Sequence, residues 1–205
     1  MLMRYTGAIY LAMALFSGPV FAQSATITAD LGGNDKSVSI SAQNITDTAP
    51  STAAVGRHPD GIGANGRQAS APSIKAETGY DPVTNKSEHL YFTFTGPVVR
   101  AELDLTYFYA DEVVAGEASL HEQGIWRAYA GNQQVDQGYF ISTASDGAYQ
   151  LLITTRRPFD RLEIFATPYV NDEGKEVGAG KITTDSSDFL VKSLSYLPAH
   201  ADARR

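Results

Sequence analysis

The chain has 205 residues, a formal net charge of −7 and no cysteine. The acidic balance argues against nucleic acid and anionic membrane surfaces as partners, because both attract basic proteins. Without cysteine there is no disulfide, no thiolate zinc site and no cysteine nucleophile, so the fold must rely on its apolar core.

Residues 1–22 have the pattern of a secretory signal peptide. Arg4 supplies the positive charge, residues 8–16 form a short apolar run, and Ala22 ends a small-residue cleavage pattern. We therefore expect export, to the periplasm or out of the cell. The mature chain should hold one domain over 23–197, a disordered tail over 198–205 and no membrane span.

Two short strands are expected at 25–30 and 36–41, separated by a Gly-Gly-Asn-Asp turn. Segment 45–68 contains small and polar residues with few large aliphatics, which indicates a long loop. It includes the Gly-rich run 60–66. A phosphate-binding loop would need a strand before this run and a helix after it, and the sequence predicts neither.

The clearest strand pattern lies at residues 98–110, after a Gly-Pro turn. Leu103 and Leu105 alternate with Glu102 and Asp104, so one face is apolar and the other is charged. We expect both leucines in the core.

Segment 111–123 is acidic and mixed, and a helical turn and a long loop both remain open. Strand patterns follow at 124–130, 135–143, 160–167 and 188–197, with turns or loops between them and a break at proline 158. Eight or nine short strands without a long amphipathic helix indicate an all-β protein. We predict an antiparallel β-sandwich, most simply a jelly roll.

Several short motifs occur in an order that resembles a β-sandwich module of large secreted bacterial adhesins and carbohydrate-binding proteins. The motifs are Gly61-Ile62-Gly63, Glu88 before the apolar strand at Leu90, Trp126 with Tyr129, Phe159-Asp160-Arg161-Leu162 and Ser187-Asp188-Phe189. The resemblance implies a β-sandwich with Ca²⁺ where early and late strands meet, and Glu88 and Asp188 as the matching positions. An insert at 113–122 departs from the pattern and leaves the ligand open.

Acidic side chains at strand entrances are candidate Ca²⁺ ligands. Asp185 and Asp188 precede the last strand, and Glu88 or Glu77 could add a carboxylate from across the fold. Ca²⁺ takes about six to eight oxygen ligands, many of them carboxylates. The competing interpretation is that both aspartates cap a turn. We predict Glu88, Asp185 and Asp188 as metal ligands.

Tyrosines are abundant and could form a platform on which sugars stack. Trp126 has the best claim, because it lies beside Arg127 and follows an acidic segment. Core packing is the competing interpretation, since aromatic residues favour strands in any case. We predict Trp126, Arg127 and Tyr129 as ligand-binding residues.

Signals of catalysis are weak. The histidines are scattered, and the chain has no G-x-S-x-G motif. His89, Tyr91 and Arg100 could supply the Tyr/His pair and arginine of a polysaccharide lyase. We predict instead an exported non-catalytic module that binds a polysaccharide or a cell-surface or matrix component, with Ca²⁺ as candidate cofactor. The alternatives are a lyase or hydrolase, and a matrix protein that self-associates through strand edges.

Overall fold

The computed structural model of this chain describes residues 26–32, 35–44, 51–65, 76–177 and 185–199. Within these ranges all regular structure is β, and no helix is present that could cross a membrane. The predicted signal peptide lies outside the described residues, as does the predicted tail beyond residue 199.

Thirteen strands make up the described structure. They are β1 (Ile27–Thr28), β2 (Val38–Asn44), β3 (Ser51–His58), β4 (Gly61–Asn65), β5 (Thr78–Asp81), β6 (Lys86–Ser87), β7 (His89–Thr106), β8 (Glu112–Val114), β9 (Glu117–Ala130), β10 (Gln133–Ile141), β11 (Tyr149–Asn171), β12 (Glu176–Val177) and β13 (Asp188–Pro198).

Five strands close into a barrel. β7 pairs with β2, the order continues through β3, β4 and β13, and β13 returns to pair with β7. Every one of these pairs is antiparallel. The prediction of an antiparallel all-β protein is therefore confirmed, with a closed five-stranded barrel and further strands outside it.

β11 extends the sheet outward from β7. It pairs with β7 along one edge and with β9 along the other, and β9 pairs with β10. The predicted turn at Pro97 and the predicted break at Pro158 are wrong, since β7 and β11 run through both positions. The β7–β11 register shifts between Thr154 and Phe159, and a proline is tolerated at such an irregularity because no ladder hydrogen bond is needed there.

The loop predicted over 45–68 is also wrong for its described part, where β3 and β4 form a hairpin. Gly56 and Gly63 lie opposite each other in this hairpin. A Cβ atom on Gly63 would come within 2.1 Å of the Ala76 carbonyl oxygen, so another stretch of backbone packs directly on the hairpin. The small residues that resembled a loop thus serve close backbone contact.

The core follows the alternation of the long strands. Leu103 and Leu105 are 0% and 1% exposed, which confirms their prediction as core residues. The alternation ends at Tyr107, whose φ is +59°, and Phe108 is buried instead. The undecided segment 111–123 forms β8 and the start of β9 rather than a helical turn.

Candidate functional site

Six carboxylates lie where β5, β9 and the start of β13 meet. We call them the carboxylate cluster, which consists of Glu77, Glu88, Glu112, Glu122, Asp185 and Asp188. Four of them are buried, and Asp188 is the most exposed of these four at 9%. Strand pairing explains the convergence, because Asp188 lies opposite Gly79, whose N–H donates to Glu88 Oε2 at 3.2 Å.

Glu122 ties β9 to the entrance of β13. Its carboxylate accepts the backbone N–H of Asp188 at 3.0 Å and the backbone N–H of Tyr109. Burial raises the pKa of Glu122 well above its usual value, and the charges of Asp188 and Glu112 raise it further, although the two N–H bonds oppose this.

Asp188 lies among other carboxylates. Burial raises its pKa well above the usual value, followed by the charges of Glu77, Asp185, Glu112 and Glu88. These groups cannot all be ionised without strong repulsion. A proton or a cation bound within the cluster would relieve this repulsion.

Tyr169 adds one hydroxyl to this region. It hydrogen-bonds to both Glu112 and Asp185, and each bond lowers the pKa of its carboxyl, whereas burial raises it. The available ligands are thus all oxygens, which suits a hard cation such as Ca²⁺ and excludes the thiolate chemistry of structural zinc sites.

The structure brings together Glu88, Asp185 and Asp188, the three residues predicted as metal ligands. Glu77, considered as an alternative to Glu88, lies with them. Sequence reasoning missed Glu112 and Glu122. Both belong to the segment whose secondary structure stayed open, and nothing in their spacing points to β13.

A different group shows the tightest metal-like spacing in the described part of the chain. Potential ligand atoms of Asp111, His121 and Asp172 all lie within 4.8 Å of one another. The two ring nitrogens of His121 face the Asp172 carboxylate at 2.9 Å and the Ser142 carbonyl at 3.2 Å, as an ion pair with a protonated histidine would. The carboxylate cluster does not reach this spacing, so a cation there would take further oxygens from backbone and water.

A second region covers the solvent-facing side of β2, β7, β11, β9 and β10. The strand register places the residues of this region in three rows across the strands. We call these three rows together the polar face. The rows are Ser39, Thr93, Arg161, Tyr129 and Gln134; Ser41, Tyr91, Glu163, Arg127 and Gln137; and Gln43, His89, Phe165, Ile125 and Tyr139. Residues at the rim are exposed, such as Tyr139 at 64%, whereas Glu163 at the centre is 4% exposed.

Glu163 binds donors from both neighbouring strands. Its Oε1 lies 2.7 Å from His89 Nδ1 and 3.0 Å from the Tyr91 hydroxyl; its Oε2 lies 2.7 Å from the Tyr129 hydroxyl and 3.5 Å from an Arg127 nitrogen. Burial raises the pKa of Glu163, but the bonds from His89, Tyr129 and Tyr91 outweigh it and hold the pKa at about 2. Three hydrogen bonds and the Arg127 ion pair thus surround the carboxylate, with two partners at each oxygen. Glu163 is therefore a fixed anion that orients its neighbours.

Two arginines stack on aromatic rings of this face. Arg127 lies over Phe165 at 4.7 Å from the ring centroid, and Arg161 lies over Tyr129 at 4.5 Å. His89 stacks on Phe165 at 4.4 Å. These contacts restrict the side chains, so the polar face presents its charged and aromatic groups in fixed positions.

Of the predicted ligand-binding residues, Arg127 and Tyr129 share the polar face. Trp126 points to the other side of β9, where it packs against the core and over Gly138. The alternative function as a polysaccharide lyase would use His89, Tyr91 and Arg100. The first two lie together on the polar face, but Arg100 pairs with Glu102 farther along β7.

No protein-family model matches this chain, and no curated protein is detectably similar to it. The resemblance to adhesin and carbohydrate-binding modules therefore rests on the motifs alone, and function must be argued from the two sites.

Proposed function

We propose that this protein is an exported, non-catalytic module that binds a polysaccharide or a cell-surface or matrix component through the polar face. A divalent cation, most simply Ca²⁺, completes the carboxylate cluster and fixes the strand entrances around it. In this proposal the barrel and the outer strands form the layers of a jelly-roll-like sandwich, as expected from the sequence.

The observation that carries the proposal is that Glu163 is an ionised carboxylate bonded to side chains on both neighbouring strands. An ionised carboxylate with three hydrogen bonds and one ion pair holds His89, Tyr91, Tyr129 and Arg127 at set positions on a solvent-facing sheet. Rigid aromatic and hydrogen-bonding side chains lose little entropy on binding, which favours recognition of an extended polar ligand.

The same observation disfavours the alternative of a polysaccharide-cleaving enzyme. A general acid or base must exchange a proton near the operating pH. The pKa of Glu163 lies far below neutrality, and burial together with the Glu163 charge raises the pKa of Tyr91 well above its usual value. Glu163 is suited to orienting its neighbours, and both groups are poorly suited to moving the protons of a ligand.

The cation part of the proposal rests on the donor set. Buried carboxylates on β9 and β13 and just before β5 and β7 converge, and a Ca²⁺ ion would offset their mutual repulsion. Since the unfolded chain cannot assemble this site, Ca²⁺ would stabilise the folded state by mass action.

A glycan array tests the proposal directly. The mature protein is applied with Ca²⁺ and with a chelator, beside the variants Arg127→Gln and Arg100→Gln. We expect binding to one class of glycans, with a marked loss for Arg127→Gln and none for Arg100→Gln, which removes the same charge outside the polar face. If the wild-type protein binds no glycan in either condition, the proposal is overturned.

A further inference from the structure

We infer that Arg161 forms a subsite for a carboxylate group, so that the ligand of the polar face is a glycan containing uronic acid. This inference rests on the proposed function and specifies the chemical class of its ligand.

The first observation is the setting of Arg161. In the strand register it lies between Thr93 on β7 and Tyr129 on β9, in the middle of the first row of the polar face. Its guanidinium lies over the Tyr129 ring at 4.5 Å. Stacking uses the flat side of a guanidinium and leaves the N–H groups in its plane available for hydrogen bonds.

The second observation is that the described residues leave one N–H group of the Arg161 guanidinium without an acceptor. Arg161 Nε is buried and has no hydrogen-bond acceptor among the described residues. A buried donor without an acceptor is costly, so the described residues do not fully satisfy this guanidinium. Arg161 as a whole is half-buried, so part of its side chain is open to a ligand at the surface.

The third observation is the contrast with Arg127. The charge of Arg127 is directed at Glu163, 3.5 Å away, and Glu163 accepts three hydrogen bonds besides this contact. The centre of the polar face thus holds two arginines and one carboxylate. The excess positive charge belongs to Arg161.

A carboxylate is the group that fits these donors best. It is planar, and it can accept two parallel N–H bonds from the edge of a guanidinium. Exposed hydroxyls of Thr93 and Ser39 continue the row beside Arg161 and can bind the hydroxyls of the same sugar. Because the whole chain carries a net charge of −7, a polyanion must be attracted by this local site and not by the overall charge.

The experiment uses the mature protein with Ca²⁺ and measures binding by calorimetry. The probes are polygalacturonate and alginate, each beside its carboxyl-reduced, neutral form, and dextran sulfate as an unrelated polyanion. The variants are Arg161→Gln and, as the matched loss of charge elsewhere on the sheet, Arg100→Gln.

We expect at least one polyuronate to bind and its carboxyl-reduced form to bind on the order of tenfold more weakly, with Arg161→Gln losing that difference and Arg100→Gln retaining it. Equal binding of the acidic and reduced forms would overturn the carboxylate subsite and leave the proposed function standing. Comparable binding of dextran sulfate, equally reduced in both variants, would indicate unspecific charge attraction and would also overturn it. If no acidic or neutral glycan binds, the inference and the proposed function both fail.

Discussion

Glu163 and Asp188 are both buried acidic side chains on strands, with exposures of 4% and 9%. The pKa of Glu163 is held at about 2, because hydrogen bonds from His89, Tyr129 and Tyr91 outweigh the cost of burial. The pKa of Asp188 is raised well above its usual value by burial and by the carboxylates around it. Burial acts in the same direction in both places, so the neighbours decide the outcome.

The neighbours differ because of where each residue lies in its strand. Glu163 is in the middle of β11, so register gives it a row partner on each side, Tyr91 and Arg127. Asp188 is the first residue of β13. The ends of other segments lie beside it and place further carboxylates around its side chain. A polar face built from strand centres can satisfy its own charge, whereas a cluster at strand entrances needs a proton or a cation from solvent.

The largest expected effect comes from removing the satisfied carboxylate. Glu163→Ala removes the acceptor of the His89 imidazole and of the Tyr129 hydroxyl and leaves Tyr91 bonded to Gln43 alone. We expect the free energy of unfolding to fall by about 3–5 kcal/mol. Glu102→Ala is the matched control, because its partner Arg100 is largely exposed, and should cost less than about 1 kcal/mol. Denaturant titration of both variants measures the difference, and equal losses would mean that Glu163 does not anchor the face.

Acid should remove the same contribution more gradually. The carboxyl of Glu163 has a pKa of about 2 in the folded protein against an ordinary value of 4.5. A lowered pKa in the folded state gives stability that is present above the unfolded value and lost as pH falls through the folded value. This group should therefore cost about 3 kcal/mol between pH 4.5 and pH 2.

Glu163→Gln isolates this contribution, because the amide does not titrate. Its unfolding free energy, measured across the same pH range, should fall less steeply than that of the wild-type protein. Parallel curves for the two proteins would contradict the prediction.

Ca²⁺ should act at the other region. At a concentration about a hundredfold above its dissociation constant, it should raise the free energy of unfolding by roughly 2–3 kcal/mol, and a chelator should reverse this. Asp188→Ala should abolish the response. His121→Ala tests the alternative location at Asp111, His121 and Asp172 and should leave the response unchanged. If neither Ca²⁺ nor chelator changes the wild-type melting temperature, the prediction of a cation site at the carboxylate cluster is wrong. Asp188 would then be interpreted as a turn cap.

The sequence predicted the elements whose pattern is local. Alternation around Leu103 and Leu105 was sufficient to assign their burial, because each residue's face depends only on its position in the strand. The same rule separates Trp126 from Arg127 and Tyr129, since adjacent residues of a strand point to opposite sides. The hairpin of β3 and β4 was missed because its small residues reflect contact with distant backbone near Ala76.

The polar face could not be read from the sequence for a related reason. The hydrogen-bond donors to Glu163 lie on β7 and β9. Both strands pair with β11 in space, but along the sequence they are separated from Glu163 by other strands and by bulges. A shift of one residue in either register would place those donors on the opposite side of the sheet. The convergence of acids depends on the pairing of β5 with β13 and on the bond from the Asp188 N–H to Glu122, which strand patterns alone do not specify.

The smallest expected effect comes from removing the charge of Asp188 in the carboxylate cluster. Asp188→Asn keeps the shape of the side chain and removes a charge that its surroundings oppose. A raised pKa in the folded state means that stability falls as pH rises from the unfolded value through the folded one, and an amide escapes this loss. In chelator at neutral pH, we expect Asp188→Asn to be more stable than the wild-type protein by about 1 kcal/mol, the usual size of a single stabilising substitution, and to gain less in acid.

The control for this gain is Asp146→Asn, an exposed aspartate that accepts the Ala148 N–H in a turn, a bond that asparagine can also accept. It should change the free energy of unfolding by no more than about 0.5 kcal/mol at either pH. If Ca²⁺ is added, the order should reverse, because the wild-type carboxylate binds the cation with both oxygens and the amide offers only one. An Asp188→Asn protein less stable than wild type in chelator would show that Asp188 is stabilised by its surroundings, as Glu163 is, and the contrast between the two regions would be lost.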